Sequence, residues 1–157
     1  MSTATPEEKK EIYAFLAAHR SGVLSTVNDQ NQPHGSVVYF AVEDDDSFTF
    51  TTKHDTAKHE HLSKNPNVSL VVYDAASQTT VEISATAAEI TDEHEAYLAF
   101  SKTVDASWKV SEAGVPPISK VNAGAYVAYR LTPSLIRRAT FKDKTTGDRN
   151  IFQVIEF

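Results

Sequence analysis

Cysteine is absent from the 157 residues, so neither disulfides nor thiolate metal ligands can contribute to the fold. No apolar run approaches the about 20 residues that span a bilayer. The segment from Met1 to Lys10 is polar and acidic, whereas a secretory signal is basic and then apolar. We therefore expect no membrane insertion, no export and a location in the cytoplasm.

Basic residues are scattered along the chain, which carries a net charge of −6. A nucleic-acid-binding domain usually concentrates lysine and arginine in one patch or stripe, so we expect no nucleic acid among the partners. With 41% hydrophobic residues, the chain can bury about 70% of the surface that its unfolded form exposes. A single domain over residues 1–157 is predicted.

Local patterns predict β-strands with a few helices between them. Thr5, Pro6 and Glu8 form a helix-start signature, and the helix should stop at Gly22. A short helix is predicted from Asp55 or Thr56 through Leu62, and a third helix is predicted to start at 91–95. The predicted strands are Val23–Val27, Val37–Val42, Phe48–Thr51, Val68–Tyr73, Val81–Ala88, Gly124–Leu131, Leu135–Phe141 and Ile151–Phe157.

Six to eight short strands, with helices after the third and the fifth, lack the regular alternation that builds a parallel sheet. They predict an antiparallel β-barrel with peripheral helices, in which closure removes the exposed edges. Residues 103–122 predict an irregular loop or lid, and residues 142–150 predict a turn. Apolar runs at Val37–Val42 and Val68–Tyr73 indicate strands buried on both faces, which favours dimerisation.

The stretch from Phe48 to Pro66 carries a pattern suited to binding an anion. A strand ending in Thr51 and Thr52 is followed by Lys53 and then by a helix start with Lys58 in its first turn. Free N–H groups and the dipole at a helix start attract anions, and hydroxyls and ammonium groups add donors and charge. A terminal phosphate would suit this arrangement. Helix capping and solubility alone would also explain the same residue types.

An ordered set of segments from about Arg20 to Asp92 resembles the FMN-binding split barrels related to pyridoxamine 5'-phosphate oxidase. The set comprises a hairpin with Pro33-His34-Gly35, an acidic turn, Phe-Thr-Phe-Thr-Thr, a helix with Lys58 and Leu62, and Asn65-Pro66-Asn67-Val68. The resemblance implies a mainly β fold, a six-stranded antiparallel split barrel of the FMN-binding type. It also implies a homodimer that holds two flavins in the clefts between its subunits.

The resemblance also implies three groups of FMN-binding residues. Backbone groups along the isoalloxazine ring are implied at Ser36, Val37, Val38 and Tyr39. The strand end that meets the ribityl chain and phosphate corresponds to Thr51, Thr52 and Lys53, and direct phosphate contacts correspond to Thr56 and Lys58. Thr80 matches a position that presents a polar side chain to the ring.

Two departures from the oxidase narrow the expected function. Ala57 stands where the family often has an arginine beside Lys58, so one guanidinium contact with the phosphate is missing. Residues Ile151–Phe157 lack the tryptophan and arginine pattern with which the oxidase binds the ring and its substrate, so pyridoxamine phosphate oxidation is not expected.

The function implied is an FMN-dependent oxidoreductase that acts on an unidentified small molecule, with a nicotinamide or another small reductant as donor. Because the flavin ring carries the hydride, no catalytic side chain is assigned. The alternatives are a non-catalytic flavin, deazaflavin or haem binding protein. Haem would favour an axial ligand such as His34.

Other residues have weaker claims to a role in binding. His54, His59 and His61 do not converge on one helix face, so no metal site is predicted and a solvated helix face is favoured. Trp108 is expected to anchor a loop, or else to stack on a flavin or substrate. Lys120 is either a surface charge, which is favoured, or a partner-subunit cation near the cofactor. At most one of Arg137 and Arg138 can share a given pocket.

Overall fold

The chain forms an antiparallel β-barrel with helices outside it, in a computed structural model that describes residues 1–112, 114–145, 147–148 and 151–157. The strands are β1 Ser2–Thr3, β2 Ser21–Val27, β3 Pro33–Val42, β4 Phe48–Lys53, β5 Asn67–Asp74, β6 Thr79–Glu89, β7 Tyr126–Thr140 and β8 Phe152–Glu156. The helices are α1 Pro6–Ala18, α2 Ala57–Lys64 and α3 Glu93–Val110, with a 3-10 helix at Pro117–Lys120. In the described part of the chain, no helix combines the length and the apolar character needed to cross a membrane.

Six strands close the barrel in the order β7, β4, β3, β2, β5 and β6, and β6 pairs back onto β7. Every pairing around this ring is antiparallel, which confirms the predicted split-barrel fold. The interior is filled by fully buried side chains, among them Phe40, Phe48, Phe50, Leu24, Leu70, Ile83 and Leu131. Each such side chain stabilises the fold by about 1.5–3 kcal/mol relative to exposure.

The barrel is split between β3 and β4. These two strands pair only at three positions, Phe40 with Phe50, Ala41 with Thr49 and Val42 with Phe48. The earlier part of β3, from Pro33 to Tyr39, pairs with β2 alone, and residues 51–53 of β4 pair with β7. One edge of β3 therefore carries no strand partner among the described residues, and a gap opens beside it.

Helix α1 begins as its sequence predicts and ends without using Gly22. The N–H of Glu8 donates to Thr5 Oγ1 at 3.2 Å, and the N–H of Thr5 donates to Glu8 Oε2 at 2.8 Å, which completes a capping box. The expected stop at Gly22 is wrong, because this glycine lies inside β2. A Cβ there would lie 2.7 Å from the carbonyl oxygen of Val71, so glycine permits the close approach of β2 and β5.

The predicted loop at 103–122 is wrong for its first eight residues, which continue α3 to Val110. The inward face of this helix is made of small or weakly apolar residues, namely Ala99, Thr103, Ala106 and Ser107. Such residues give a faint helical pattern in a sequence, although they pack closely against the barrel. The rest of the stretch contains the 3-10 helix, and residue 113 lies outside the described residues.

Strand β7 is continuous, whereas the sequence predicted two strands on either side of Pro133. The proline is tolerated because pairing with β4 ends at Leu131 and pairing with β8 begins at Leu135. On the other side, the β6 register shifts between Ser84 and Ala85, opposite the proline. The turn predicted at 142–150 includes 146, 149 and 150, which lie outside the described residues.

Strand β5 is buried on one face only, so the expectation of burial on both faces is wrong within the single chain. Val68, Leu70 and Val72 point into the barrel, while Tyr73 is 60% exposed. On the outside, Val23 of β2 pairs with Val37 of β3 and with Val71 of β5. We call the apolar surface formed by Val23, Val37, Val71 and Tyr73 the outer patch.

Candidate functional site

A cleft opens where β3 and β4 separate, and it encloses about 250 Å³. Most of its walls are aliphatic or proline side chains. We call it the apolar cleft, and its lining residues are Val37, Val38, Tyr39, Thr51, Lys58, Thr103, Pro117, Ile118 and Val121. It therefore brings β3, β4, α2, α3 and the 3-10 helix to one place.

A second cavity of about 250 Å³ lies beside the start of α2. We call it the polar pocket, and its lining residues are Thr26, His34, Gly35, Ser36, Thr56, Ala57, Lys58 and His61. Lys58 borders both cavities, so the apolar cleft and the polar pocket meet at its side chain. A ligand with a flat apolar part and an anionic part would suit this pair of cavities.

Lys58 is half-buried and lacks a counter-charge. None of the hydrogen bonds or ion pairs found among the described residues involves its ammonium group. Burial lowers the pKa of Lys58 from its usual value, because the charged form has lost part of its hydration. An anion in either cavity would offset that cost.

The start of α2 is capped by Thr56, which resolves the choice between Asp55 and Thr56. The Thr56 hydroxyl donates to the carbonyl oxygen of Lys53 at 2.7 Å and accepts from the N–H of His59 at 3.3 Å. Its hydroxyl is therefore engaged within the chain. The first-turn N–H groups of Ala57 and Lys58 have no acceptor within the helix, and they remain free to bind an anion.

Thr51 lines the apolar cleft and carries an unsatisfied polar atom. The residue is 6% exposed, and its Oγ1 is the one buried side-chain polar atom of the described residues that lacks a hydrogen-bond partner. Leaving a buried hydroxyl unpaired costs about 1–3 kcal/mol. A ligand that hydrogen-bonds to Oγ1 would remove this cost.

Seven of the ten predicted FMN-binding residues line the two cavities, namely Ser36, Val37, Val38, Tyr39, Thr51, Thr56 and Lys58. Thr52, Lys53 and Thr80 line neither cavity. Thr52 is fully buried, and its hydroxyl lies 3.3 Å from Thr56 Oγ1. Lys53 Nζ donates to a backbone carbonyl at the cleft wall, and Thr80 pairs with Tyr73 and Ala139 within the sheet.

The solvated helix face predicted for the three histidines is wrong for His61, which is 7% exposed. Its Nδ1 lies 2.9 Å from Thr26 Oγ1, and its ring centroid lies 4.6 Å from that of His34. His59 Nδ1 lies 2.6 Å from the Tyr129 hydroxyl. No cluster of three potential metal ligands occurs among the described residues.

The sequence carried one signal for His61 that the prediction missed. Lys58 and His61 are three residues apart on α2, so they share a helix face. His34 could not be added to this face from the sequence, because the pairing of β2 with β3 and the packing of α2 against β2 together bring it close.

The other candidate residues lie away from the cavities. A Cβ on Gly114 would lie 3.4 Å from the Trp108 ring, so the tryptophan packs on a loop and not in the apolar cleft. Arg138 pairs with Glu11 at 3.1 Å, and Arg137 pairs with Glu82. Lys120 is exposed on the 3-10 helix.

Comparison with known proteins adds a family and a set of similar folds. The profile of the family described as Pyridoxamine 5'-phosphate oxidase matches residues 8–137. No curated protein sequence gives a significant match. Among solved structures, general stress protein 26 from Bacillus anthracis has a TM-score of 0.62 and 21% identity, over 83% of this chain and 92% of that chain.

Two further structures carry ligand names. A pyridoxamine 5'-phosphate oxidase-related, FMN binding protein from Nostoc punctiforme has a TM-score of 0.62 and 13% identity, over 99% of this chain and 98% of that chain. A heme binding protein from Mycobacterium smegmatis has a TM-score of 0.70 and 14% identity, over 98% of this chain and 60% of that chain. At these identities the likeness concerns the fold.

Proposed function

The chain belongs to the pyridoxamine 5'-phosphate oxidase family, and on that premise we propose that it is an FMN-dependent oxidoreductase with a small-molecule substrate. The proposed assembly is a homodimer with FMN in the clefts between the subunits. The observation that carries the proposal is the uncompensated Lys58 ammonium between the polar pocket and the apolar cleft. Within the family, a structural relative described as FMN binding supports the choice of cofactor.

The polar pocket and the start of α2 fit the phosphate end of FMN. Lys58 supplies a positive charge, and the free N–H groups of Ala57 and Lys58 supply donors. Ser36, on β3, adds a hydroxyl among the lining residues. Without the arginine that often accompanies the lysine, we expect weaker phosphate binding than a guanidinium pair would give.

The apolar cleft fits the flat end of the cofactor. Val37, Val38 and Tyr39 line it from the edge of β3 that has no strand partner among the described residues. Their backbone groups are therefore available to the polar rim of a ring. Thr51 Oγ1 is buried without a partner and would have to turn into the cleft to hydrogen-bond to the ring. Bound FMN would supply two-electron transfer, while these residues orient it and exclude water from it.

An exposed apolar surface beside the two cavities supports a dimer. The outer patch exposes Val37 by 67% and Val23 by 43% beside these cavities. A second copy packed on this patch would bury its apolar side chains and enclose the cofactor.

Titration with FMN and with riboflavin, which lacks the phosphate, tests the proposal. We expect the wild-type protein to bind FMN more tightly than riboflavin. Lys58→Met should weaken FMN binding about tenfold, because a charge-assisted hydrogen bond is lost, and should change riboflavin binding little. Lys64→Met is the matched control, since Lys64 lies on the same helix but pairs with Glu60 at 3.1 Å.

Addition of NADH or NADPH tests turnover. The yellow colour of the flavin should bleach and should return in air. A protein that stays yellow would be a non-catalytic flavin binder. Equal affinity of the wild-type protein and Lys58→Met for FMN would contradict the proposed site.

A second candidate function is haem binding, which one observation favours. His34 is an exposed imidazole that lines the polar pocket, where it could serve as an axial ligand, and one structural relative is described as a heme binding protein. The visible spectrum of the purified protein separates the candidates. A haem spectrum that is lost in the His34→Gln variant would favour haem as the ligand. A deazaflavin would instead occupy the apolar cleft and give its own absorption band.

A further inference from the structure

His34 and His61 meet at the polar pocket although they lie on different elements. His34 is on β3 and His61 is on α2, and their rings are 4.6 Å apart between centroids. Thr26 Oγ1 lies 2.9 Å from His61 Nδ1. No hydrogen bond found among the described residues involves His61 Nε2, although the residue is 7% exposed.

The polar pocket has one permanent charge among its described lining residues, which is Lys58. None of those residues is a carboxylate. An imidazole donates from one nitrogen when neutral and from both when protonated, and it then carries a positive charge. Two protonated histidines can therefore add positive charge beside the Lys58 ammonium.

We propose that His34 and His61, together with Lys58, bind the terminal phosphate of the cofactor and that protonation of these histidines strengthens the binding as the pH falls. This inference rests on the proposed function. It assigns the anionic end of the ligand to the polar pocket, and it makes the affinity for phosphate-bearing ligands pH-dependent.

The charged groups on the elements around the polar pocket do not oppose stronger phosphate binding at lower pH. On α2, Lys64 pairs with Glu60 at 3.1 Å and with Asp29 of the β2–β3 turn at 3.8 Å. On β2, Thr26 Oγ1 contacts His61, and in the β2–β3 turn the Asn28 amide lies 3.5 Å from His34 Nε2. Lys58 is the one charged side chain that lines the pocket among the described residues, and a bound phosphate would neutralise it.

The test compares FMN affinity of His34→Gln and His61→Gln with that of the wild-type protein at about pH 6 and about pH 8. The phosphate itself titrates near pH 6, so the measured quantity is the ratio of the variant Kd to the wild-type Kd at each pH, in which the ionisation of the free phosphate cancels. We expect each variant to raise the FMN Kd about tenfold at the lower pH and less at the higher pH. Riboflavin affinity should not change.

His94→Gln is the matched control, because His94 is exposed at the start of α3. His34 is exposed, so its variant should fold even if the substitution of buried His61 impairs folding. If the wild-type protein binds FMN and both ratios stay near one, the inference is overturned and the proposed function stands. An equal loss of riboflavin binding would mean a structural role and would also overturn it. If the wild-type protein binds no FMN, both proposals fail.

Discussion

Lys53 Nζ donates a hydrogen bond of 2.6 Å to the carbonyl oxygen of Val121, which ties the end of β4 to a wall of the apolar cleft. The same ammonium lies 4.9 Å from the centroid of the Tyr126 ring. Val121 directly follows the 3-10 helix and lines the cleft, and Tyr126 is the first residue of β7. Lys53 thus shapes the cleft without lining it.

We predict that Lys53→Met weakens the binding of FMN and of riboflavin by the same factor, about threefold to tenfold, because one hydrogen bond to the wall is lost. Lys58→Met should instead weaken FMN alone. Titration of both ligands with both variants checks the difference. A selective loss of FMN in Lys53→Met would mean that Lys53 contacts the phosphate directly.

Thr51→Val should make the ligand-free protein more stable and FMN binding weaker. The substitution replaces an unpaired buried hydroxyl by a methyl group of similar size, which should raise the free energy of unfolding by about 1–3 kcal/mol. Urea denaturation without ligand and FMN titration measure the two effects.

Thr49→Val is the matched control on the same face of β4. Thr49 Oγ1 donates to Glu43 Oε1 at 2.6 Å, so the same substitution there should destabilise the protein. If Thr51→Val also destabilised the protein and left FMN affinity unchanged, its hydroxyl would have a role within the fold and none in binding.

Local chemistry predicted the parts of the fold and of the site that depend on neighbours in the sequence. The capping box of Thr5 and Glu8 and the position of Lys58 in the first turn of α2 follow from such patterns. The length of α3 did not, because residues such as Ala106 pack well but give a weak apolar signal. The proximity of His34 and His61 did not either, since it depends on the packing of α2 against the β2–β3 hairpin.

Glu43 should make the stability of the fold pH-dependent. Burial raises the pKa of Glu43, but hydrogen bonds from Lys102 at 2.5 Å and from Thr49 outweigh this effect and hold the pKa below its usual value. A carboxyl group with a lowered pKa in the folded state stabilises the fold above its unfolded pKa, and this contribution is lost as the pH falls through the folded pKa.

Glu43→Gln should therefore lower the free energy of unfolding by about 1–3 kcal/mol near neutral pH, and by little below the folded pKa of Glu43. Urea denaturation of the wild-type protein and of Glu43→Gln, once near neutral pH and once below the folded pKa of Glu43, measures the difference in the free energy of unfolding. Glu156→Gln, an exposed substitution on β8, is the control and should give no such pH-dependent gap. If the difference in the free energy of unfolding between the wild-type protein and Glu43→Gln persisted unchanged in acid, packing and not charge would explain it.

Val23→Glu should separate the subunits and weaken FMN binding together. Val23 is 43% exposed at the centre of the outer patch, where it pairs with Val37 and Val71, so a carboxylate there would be buried without a partner in a dimer. Light scattering should give a dimer for the wild-type protein and a monomer for the variant. Val115→Glu substitutes a valine of similar exposure, 47%, outside the patch and should remain dimeric. A Val23→Glu protein that stays dimeric and binds FMN normally would place the subunit interface elsewhere, and a monomeric wild-type protein would exclude a cofactor site shared between subunits.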